Sequence, residues 1–375
     1  MGPSGTVVAR QAWRRWLSVA AVVLVLCTLP LVIRVWPVPA AAIGPATLRD
    51  RIQASETRPY QGYAQTVGTL GLPDLPRLSD VTSLLSTTTE LRAWYAAPDR
   101  WRVDQIGPGS EQGLYHRPEG EYRWDYTDEQ VVQIVGTPPV RLPRAADLIP
   151  PDLGRRLVAA TATDPVTALP DRRVAGVATA GLRIVPTDPS TTIAHIDIWA
   201  APDTGLPLQV EVTAKGGTRP VLTSRFLDFD ARAPAASVIT PPAPRAGVVI
   251  AATSTPDLVS ALNRFSQARL PDTLAGKHRR TALAGVSAIG VYGSGLTELV
   301  ALAAPGRIGR EAYDTVAKYG TPVAVPSGDA TLISTSLLSV LVVRNRELRQ
   351  TYLVAGLIDP AVLKSAGAEL AEVAE

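Results

Sequence analysis

The sequence predicts an α+β protein behind one N-terminal membrane-spanning helix: an antiparallel-sheet domain first, then a smaller α+β domain. Three observations predict it. A single uncharged apolar run, Leu17 to Ile33, stands near the start of the 375-residue chain. Period-two alternation of apolar and polar residues then dominates to about residue 230, the mark of strands with one buried face. A proline-rich joint follows, and beyond it helical and strand patterns are mixed.

The apolar run is bounded by Arg14-Arg15 and Arg34, with Trp16 and Trp36 at its edges. Its seventeen residues cover about 25 Å as a helix, enough to cross a hydrocarbon core with some snorkelling. Arg10, Arg14 and Arg15 precede it, so the positive-inside bias holds the N-terminus in the cytoplasm and exports the rest. Trp16, Leu17, Ile33, Arg34 and Trp36 are the expected anchor residues. Residues 1–42 thus form a basic tail with a membrane anchor or signal segment. The small residues ending at Ala42 leave an alternative open, secretion after cleavage there. Cys27 lies within the span, and Leu26 before it argues against lipid attachment.

Composition narrows the rest. The exported part holds no cysteine, so it has neither a disulfide nor a thiolate metal site and must be stable by burial. A formal net charge of +3 is too small to argue for nucleic acid. His116, His195 and His278 are too far apart in sequence for a local metal motif, and no cofactor is expected. Gly293-Ser294-Gly295 misses a nucleophile elbow by one position and reads as a hairpin turn. Lys277-His-Arg-Arg280 reads as a solvated basic turn, with contact to anionic lipid headgroups as the alternative, and Asp99 and Asp104 as modest ion-pair partners of neighbouring arginines. No catalytic constellation emerges, so the expectation is a protein that is not an enzyme.

Within residues 43–233, Pro45-Ala-Thr47 starts a short helix, with Thr47 as N-cap and Leu48, Ile52 and Ser55 on one face. Trp101 and Val103 alternate with arginines and Asp104; Tyr122, Trp124 and Tyr126 alternate with Arg123 and Asp125. Ile196 and Ile198 share one strand face, His195, Asp197 and Trp199 the other, and Ala201-Pro-Asp-Thr-Gly205 turns into Leu206 to Val212. Leu70-Gly-Leu-Pro-Asp-Leu-Pro-Arg-Leu78 is apolar, but its prolines forbid a regular helix or central strand. Val81, Leu84 and Leu85 then suggest an amphipathic helical turn. Leu70, Leu72, Leu75, Leu84 and Leu85 are candidates for a mobile lid or lip; a loop that packs its leucines on the sheet is the plainer alternative. Trp94, Trp101, Trp124, Tyr126 and Trp199 are the candidate lining of a ligand cavity, with ordinary core packing as the alternative.

The segment Trp94-Tyr95-Ala-Ala-Pro98-Asp-Arg-Trp101-Arg-Val103 with Trp124-Asp-Tyr126, and the hairpin Ile196-Asp-Ile198-Trp199…Thr204-Gly205-Leu206-Pro207-Leu208, resemble the LolA-type lipoprotein carrier superfamily. The hairpin also resembles RseB/MucB-type sigma-E regulatory proteins. The resemblance implies a strongly curved antiparallel sheet, an unclosed barrel, wrapped around helices. It implies binding of lipid or lipoprotein acyl chains, or, for the regulators, contact with an anti-sigma factor. The anchor and the further domain depart from the soluble carriers and favour a fixed relay or sensor.

Pro234, Pro241, Pro242 and Pro244 mark a stiff linker over 234–246. In 247–375, Thr255-Pro256 opens a helix carrying Leu258, Leu262 and Phe265; Val286–Tyr292 and Leu296–Leu302 form a hairpin. Ile308 to Tyr319 is helical up to Gly320, Thr331 to Val343 is strand-rich, and Pro360 opens a last helix.

Overall fold

The computed structural model describes residues 13, 15–24, 42–73, 79–135, 142–243, 249–254, 270–280, 288–346 and 350–372. The chain divides by its contacts into Met1–Ala40 and Ala41–Glu375. In the first unit residues 15–24 are helical, with Trp16 and Leu17 exposed. The second half of the expected span, with Ile33, Arg34 and Trp36, lies outside the described residues, as does the predicted helix from Thr255. No helix among the described residues is long and apolar enough to cross a membrane.

Among the described residues the second unit has two large sheets and one two-stranded ladder. Twelve strands form the first, in the order β12-β6-β5-β4-β3-β2-β1-β11-β10-β9-β8-β7. Its strands are β1 (Tyr60–Gly68), β2 (Thr88–Ala97), β3 (Arg100–Gly107), β4 (Ser110–Arg117), β5 (Gly120–Asp125), β6 (Gln130–Val135), β7 (Val166–Val174), β8 (Val177–Ile184), β9 (Ile193–Ala200), β10 (Pro207–Ala214), β11 (Leu222–Asp230) and β12 (Val249–Ser254). Neighbours pair antiparallel except β12, which lies parallel to β6. β12 and β7 are its two ends, so the sheet is open, in keeping with an unclosed barrel.

Helices Pro45–Gln53 and Pro150–Ala160 pack on one face of this sheet, its inner face. Leu48, Ile52 and Val158 join Leu182, Ile196, Ile198 and Val210 in one buried cluster. Removing such side chains from water at about 25 cal/mol per Å² is what holds the helices in place. The close approach depends on Gly154, where a Cβ would stand 2.7 Å from Cγ of Pro207. A second cluster continues the same face toward β2 and β3, with Tyr60, Leu91, Tyr95, Val103, Ile149 and Phe226. The hydroxyls of Thr66 and Ser224 both donate to the carbonyl of Leu148, which ends the 3₁₀ turn Ala145–Leu148 before the helix. The helix Pro45–Gln53 starts one turn earlier than predicted. Gly44 is its N-cap, because Pro45 at the first helical position needs no N–H partner, and Thr47 falls inside.

The leucine segment after β1 is irregular over 69–73 and helical over Ser79–Ser86. Leu70 and Leu84 are buried, and Leu72 and Leu85 pack beside the inner cluster; Leu75 lies outside the described residues. The predicted turn Ala201–Gly205 is present, and Gly205 has a positive φ of 74°.

The proline-rich joint is not a free spacer. Its residues to Ala243 lie against the outer face of β3 to β6, where Ile239 is buried and Arg102 and Arg117 donate to Val238 and Thr240. The chain then returns to the first sheet as β12.

The second sheet has six strands in the order β15-β16-β20-β19-β18-β17. These are β15 (Ile289–Tyr292), β16 (Leu299–Pro305), β17 (Thr321–Val323), β18 (Asp329–Ser334), β19 (Ser339–Asn345) and β20 (Gln350–Gly356), preceded by the two-residue strands β13 (Thr273–Leu274) and β14 (Lys277–His278). The predicted hairpin is β15–β16, closed by the 3₁₀ turn Gly295–Thr297. Helix Pro360–Glu372 covers one face through Leu363, Ala366 and Leu370, and helix Gly306–Ala317 sets Val316 against Ile333 and Val342. The two sheets meet through backbone groups: Thr192 N donates to Leu357 O at 3.1 Å and Asp359 N to Ser190 O at 2.7 Å. The basic turn is exposed at His278 and Arg280, as a solvated turn should be, and its cations also have partners. Lys277 donates to Thr297, and Arg280 pairs with Glu298.

Candidate binding cleft at the mouth of the half-barrel

Strand alternation separates the aromatic residues that the sequence grouped. Tyr95 and Trp101 are directly paired across β2 and β3, both on the inner face. Trp94 is paired with Arg102, and Trp124 with Gly113, on the outer face. Trp124 meets Tyr126 edge-on at 5.5 Å. Trp199 belongs to the same buried cluster as Tyr60 and Tyr95 but does not line the cleft between them and the helix. It is buried on the polar face of β9, where its indole donates to Pro170 O at 3.1 Å and the Arg172 guanidinium lies 3.1 Å from the ring centroid. The ten candidate residues therefore do not form one lining.

On the inner face a cleft of about 210 Å³ opens where β1, β2 and β3 meet the 3₁₀ turn and the helix Pro150–Ala160. The strands contribute Tyr60, Tyr95, Trp101 and Val103. Tyr60 and Tyr95 stack at 5.0 Å with an angle of 7° between rings. The turn and helix contribute Arg144, Asp147, Ile149, Asp152, Arg155 and Arg156. Only Trp101 of the predicted lining belongs here. Tyr60, Tyr95 and the helix arginines were missed; the available signal was Pro150-Pro151-Asp152, a helix start with an acidic first turn that places Arg155 and Arg156 one turn on.

The charges of the cleft are tightly paired. Arg144 forks onto Glu121 at 2.6 and 2.8 Å, and Nδ1 of His116 lies 3.2 Å from the same carboxylate. Burial alone would raise the Glu121 pKa; the hydrogen bonds from His116 and Arg144 outweigh it and hold the group at about 2. His116 stacks on Trp101 at 5.1 Å, and the Arg144 guanidinium is 5.5 Å from that ring. Arg156 bridges Asp147 and Asp152, each at 2.9 Å. Burial pushes the Tyr95 phenol up to about 12 and that of Tyr60 higher still, so both stay protonated.

The outer face carries a second arrangement. Asp104 makes the ion pair with a neighbouring arginine that the sequence suggests, and it does so fully buried. Arg102 grips it through Nε at 2.7 Å and through Nη2, and lies between Trp94 and Tyr115 at 4.6 and 4.9 Å. Burial raises the Asp104 pKa to about 6, although Arg102 pulls it down. Beside it, a groove of about 430 Å³ runs between Tyr122 and Val131 of the sheet and Pro241 and Pro242 of the joint. The three histidines lie on different strands, β4, β9 and β14, and no cluster of three metal-capable side chains occurs among the described residues.

No protein-family model matches the chain, and no curated protein matches it. Among solved structures it is similar to the Pseudomonas aeruginosa MucA/MucB complex, at 15% identity over 86% of this chain and 96% of that one, TM-score 0.49. It is also similar to LolA superfamily protein NE2245 from Nitrosomonas europaea (12% identity, 53% of this chain, 98% of that one, TM-score 0.23). A third is a putative outer membrane lipoprotein-sorting protein domain from Vibrio parahaemolyticus (13% identity, 50% and 91%, TM-score 0.21).

Proposed function

We propose that the chain is a non-enzymatic, extracytoplasmic binding protein that takes a lipid or a lipoprotein acyl chain at the mouth of its half-barrel. The observation that carries this reading is the cleft itself. Tyr60, Tyr95 and Trp101 line it from the sheet and paired polar residues line it from the helix, which suits a ligand with one apolar and one polar part. Each methylene removed from water contributes about 0.8 kcal/mol, so a chain can be held without further polar chemistry. A long chain would extend past the mouth by displacing the leucines of the Leu70 to Leu85 segment, which then acts as a lid. With the basic N-terminus and apolar run retained as an anchor, the domain works beside a membrane as a relay or sensor rather than as a free shuttle.

A second reading rests on the outer groove. Its proline and aromatic walls suit an extended protein segment, and an anti-sigma factor is the partner class that the sequence resemblance implies. Native mass spectrometry of the full chain purified from membranes tests the first reading, with co-purifying or added lipid as the expected result. Crosslinking in cells separates the two: a carrier traps lipoproteins, whereas a regulator traps a single-span anti-sigma protein. A chain that never carries lipid and traps only the latter would sink the acyl-chain reading.

A further inference from the structure

Two buried donors in the cleft lack acceptors. Arg155 is only 9% exposed, and its Nη1 has no hydrogen-bond partner; nor has the buried Nε of Arg144. Four buried side-chain atoms among the described residues are in this condition, and half of them belong to this one cleft. A buried N–H without an acceptor is costly, so an oxygen brought to it by a ligand is strongly favoured.

The surrounding charges select the kind of oxygen. The lining holds three cations, Arg144, Arg155 and Arg156, and three carboxylates, Glu56, Asp147 and Asp152. Asp147 accepts from Arg156 at 2.9 Å and from the Arg144 backbone at 2.9 Å. Asp152 lies 2.9 Å from Arg156 and 3.6 Å from Arg155, and Arg144 is engaged by Glu121. An anion entering this balanced set meets three carboxylates and no uncompensated cation, and must also shed its water. A neutral carbonyl takes the spare N–H and adds no charge. Tyr95, whose ring lies 6.0 Å from the Arg155 guanidinium, supplies apolar surface at the same point.

We infer that Arg155 selects the ligand of this cleft: its spare Nη1–H receives the carbonyl oxygen of an uncharged ester or amide at the head of an acyl chain, in preference to a free carboxylate. This rests on the acyl-chain reading of the half-barrel mouth. Membrane glycerolipids supply such esters and N-acylated lipoproteins such amides.

The test uses the full chain in a mild detergent with three probes of equal chain length: a monoacylglycerol, an N-acyl amino-acid methyl ester and the fatty acid, titrated calorimetrically at neutral pH. The ester or amide is expected to bind about tenfold tighter than the acid, and the tighter of the two names the source. Arg155→Met should remove the preference. Arg155→Lys keeps the charge but loses the forked donor, and serves if the methionine variant unfolds; circular dichroism and melting check both. Equal or tighter binding of the acid, or a preference that survives both variants, overturns the assignment to Arg155 alone. Failure of all three probes to bind overturns the acyl-chain reading and this inference together.

Discussion

Nη1 of Arg102 donates to the carbonyl oxygen of Val238 at 3.1 Å, which ties the joint leaving the first sheet to that sheet's outer face. The same guanidinium neutralises Asp104, so one side chain holds both a buried carboxylate and the strap across it. Replacing Arg102 with Met leaves that carboxylate buried and unpaired, at a cost of about 3–5 kcal/mol. Urea unfolding should show the loss, and hydrogen exchange around Ile239 should rise. Adding Asp104→Asn should recover part of the stability; no recovery would mean that the pair does not act as a unit.

Asp104 also sets a pH dependence. Its folded-state pKa of about 6 lies above the ordinary 3.8, so protonation favours the folded state. The contribution is fully present below about pH 4 and is lost as pH rises through about 6. Wild type minus Asp104→Asn stability should therefore fall by about 2–3 kcal/mol over that window. A difference that stays flat with pH contradicts the burial argument.

Glu121 acts in the opposite sense. Held at about 2 against an ordinary 4.5, it stabilises the fold above about pH 4.5, and that contribution disappears as pH falls through about 2. Glu121→Gln should cost about 2–3 kcal/mol at pH 6 and little at pH 2, read from chemical denaturation at each pH.

Gly205 docks the β9–β10 turn on the helix Pro45–Gln53. Its φ is 74°, and a Cβ there would stand 2.2 Å from the carbonyl oxygen of Arg51. Gly205→Ala therefore adds left-handed strain of about 1 kcal/mol to a steric clash, and should lower the melting temperature by several degrees. Gly276→Ala has a similar φ of 71° and open space around it, and is the control expected to show the strain alone.

Trp199 joins β9 to β7 through the Pro170 carbonyl and the Arg172 guanidinium. Trp199→Ala should cost about 3–5 kcal/mol, and Trp199→Phe, which keeps the ring but not the N–H, about 1–2 kcal/mol. Equal losses for the two variants would deny the indole hydrogen bond any part.

Strands β3, β5, β9 and β10, the Gly205 turn, the β15–β16 hairpin and the last helix all follow from local pattern, since alternation, turn residues and a proline at a helix start act over a few positions. The candidate site was read less well. Trp94 and Trp101 look like neighbours in sequence, yet the hairpin between them puts one on each side of the sheet. Tyr60, Tyr95 and Arg155 come together only when β1 pairs with β2 and a distant helix is laid across them.

By itself the sequence determined an apolar N-terminal run, an antiparallel first part, a mixed second part and the absence of cysteine from everything after the run. Tertiary structure alone decided which face each aromatic occupies, that the proline-rich joint lies on the sheet and returns to it as β12, and that Asp104 is buried. The physical reason is range. Dihedral preference and side-chain alternation are settled by near neighbours, whereas burial and charge pairing depend on which strand arrives from a hundred residues away.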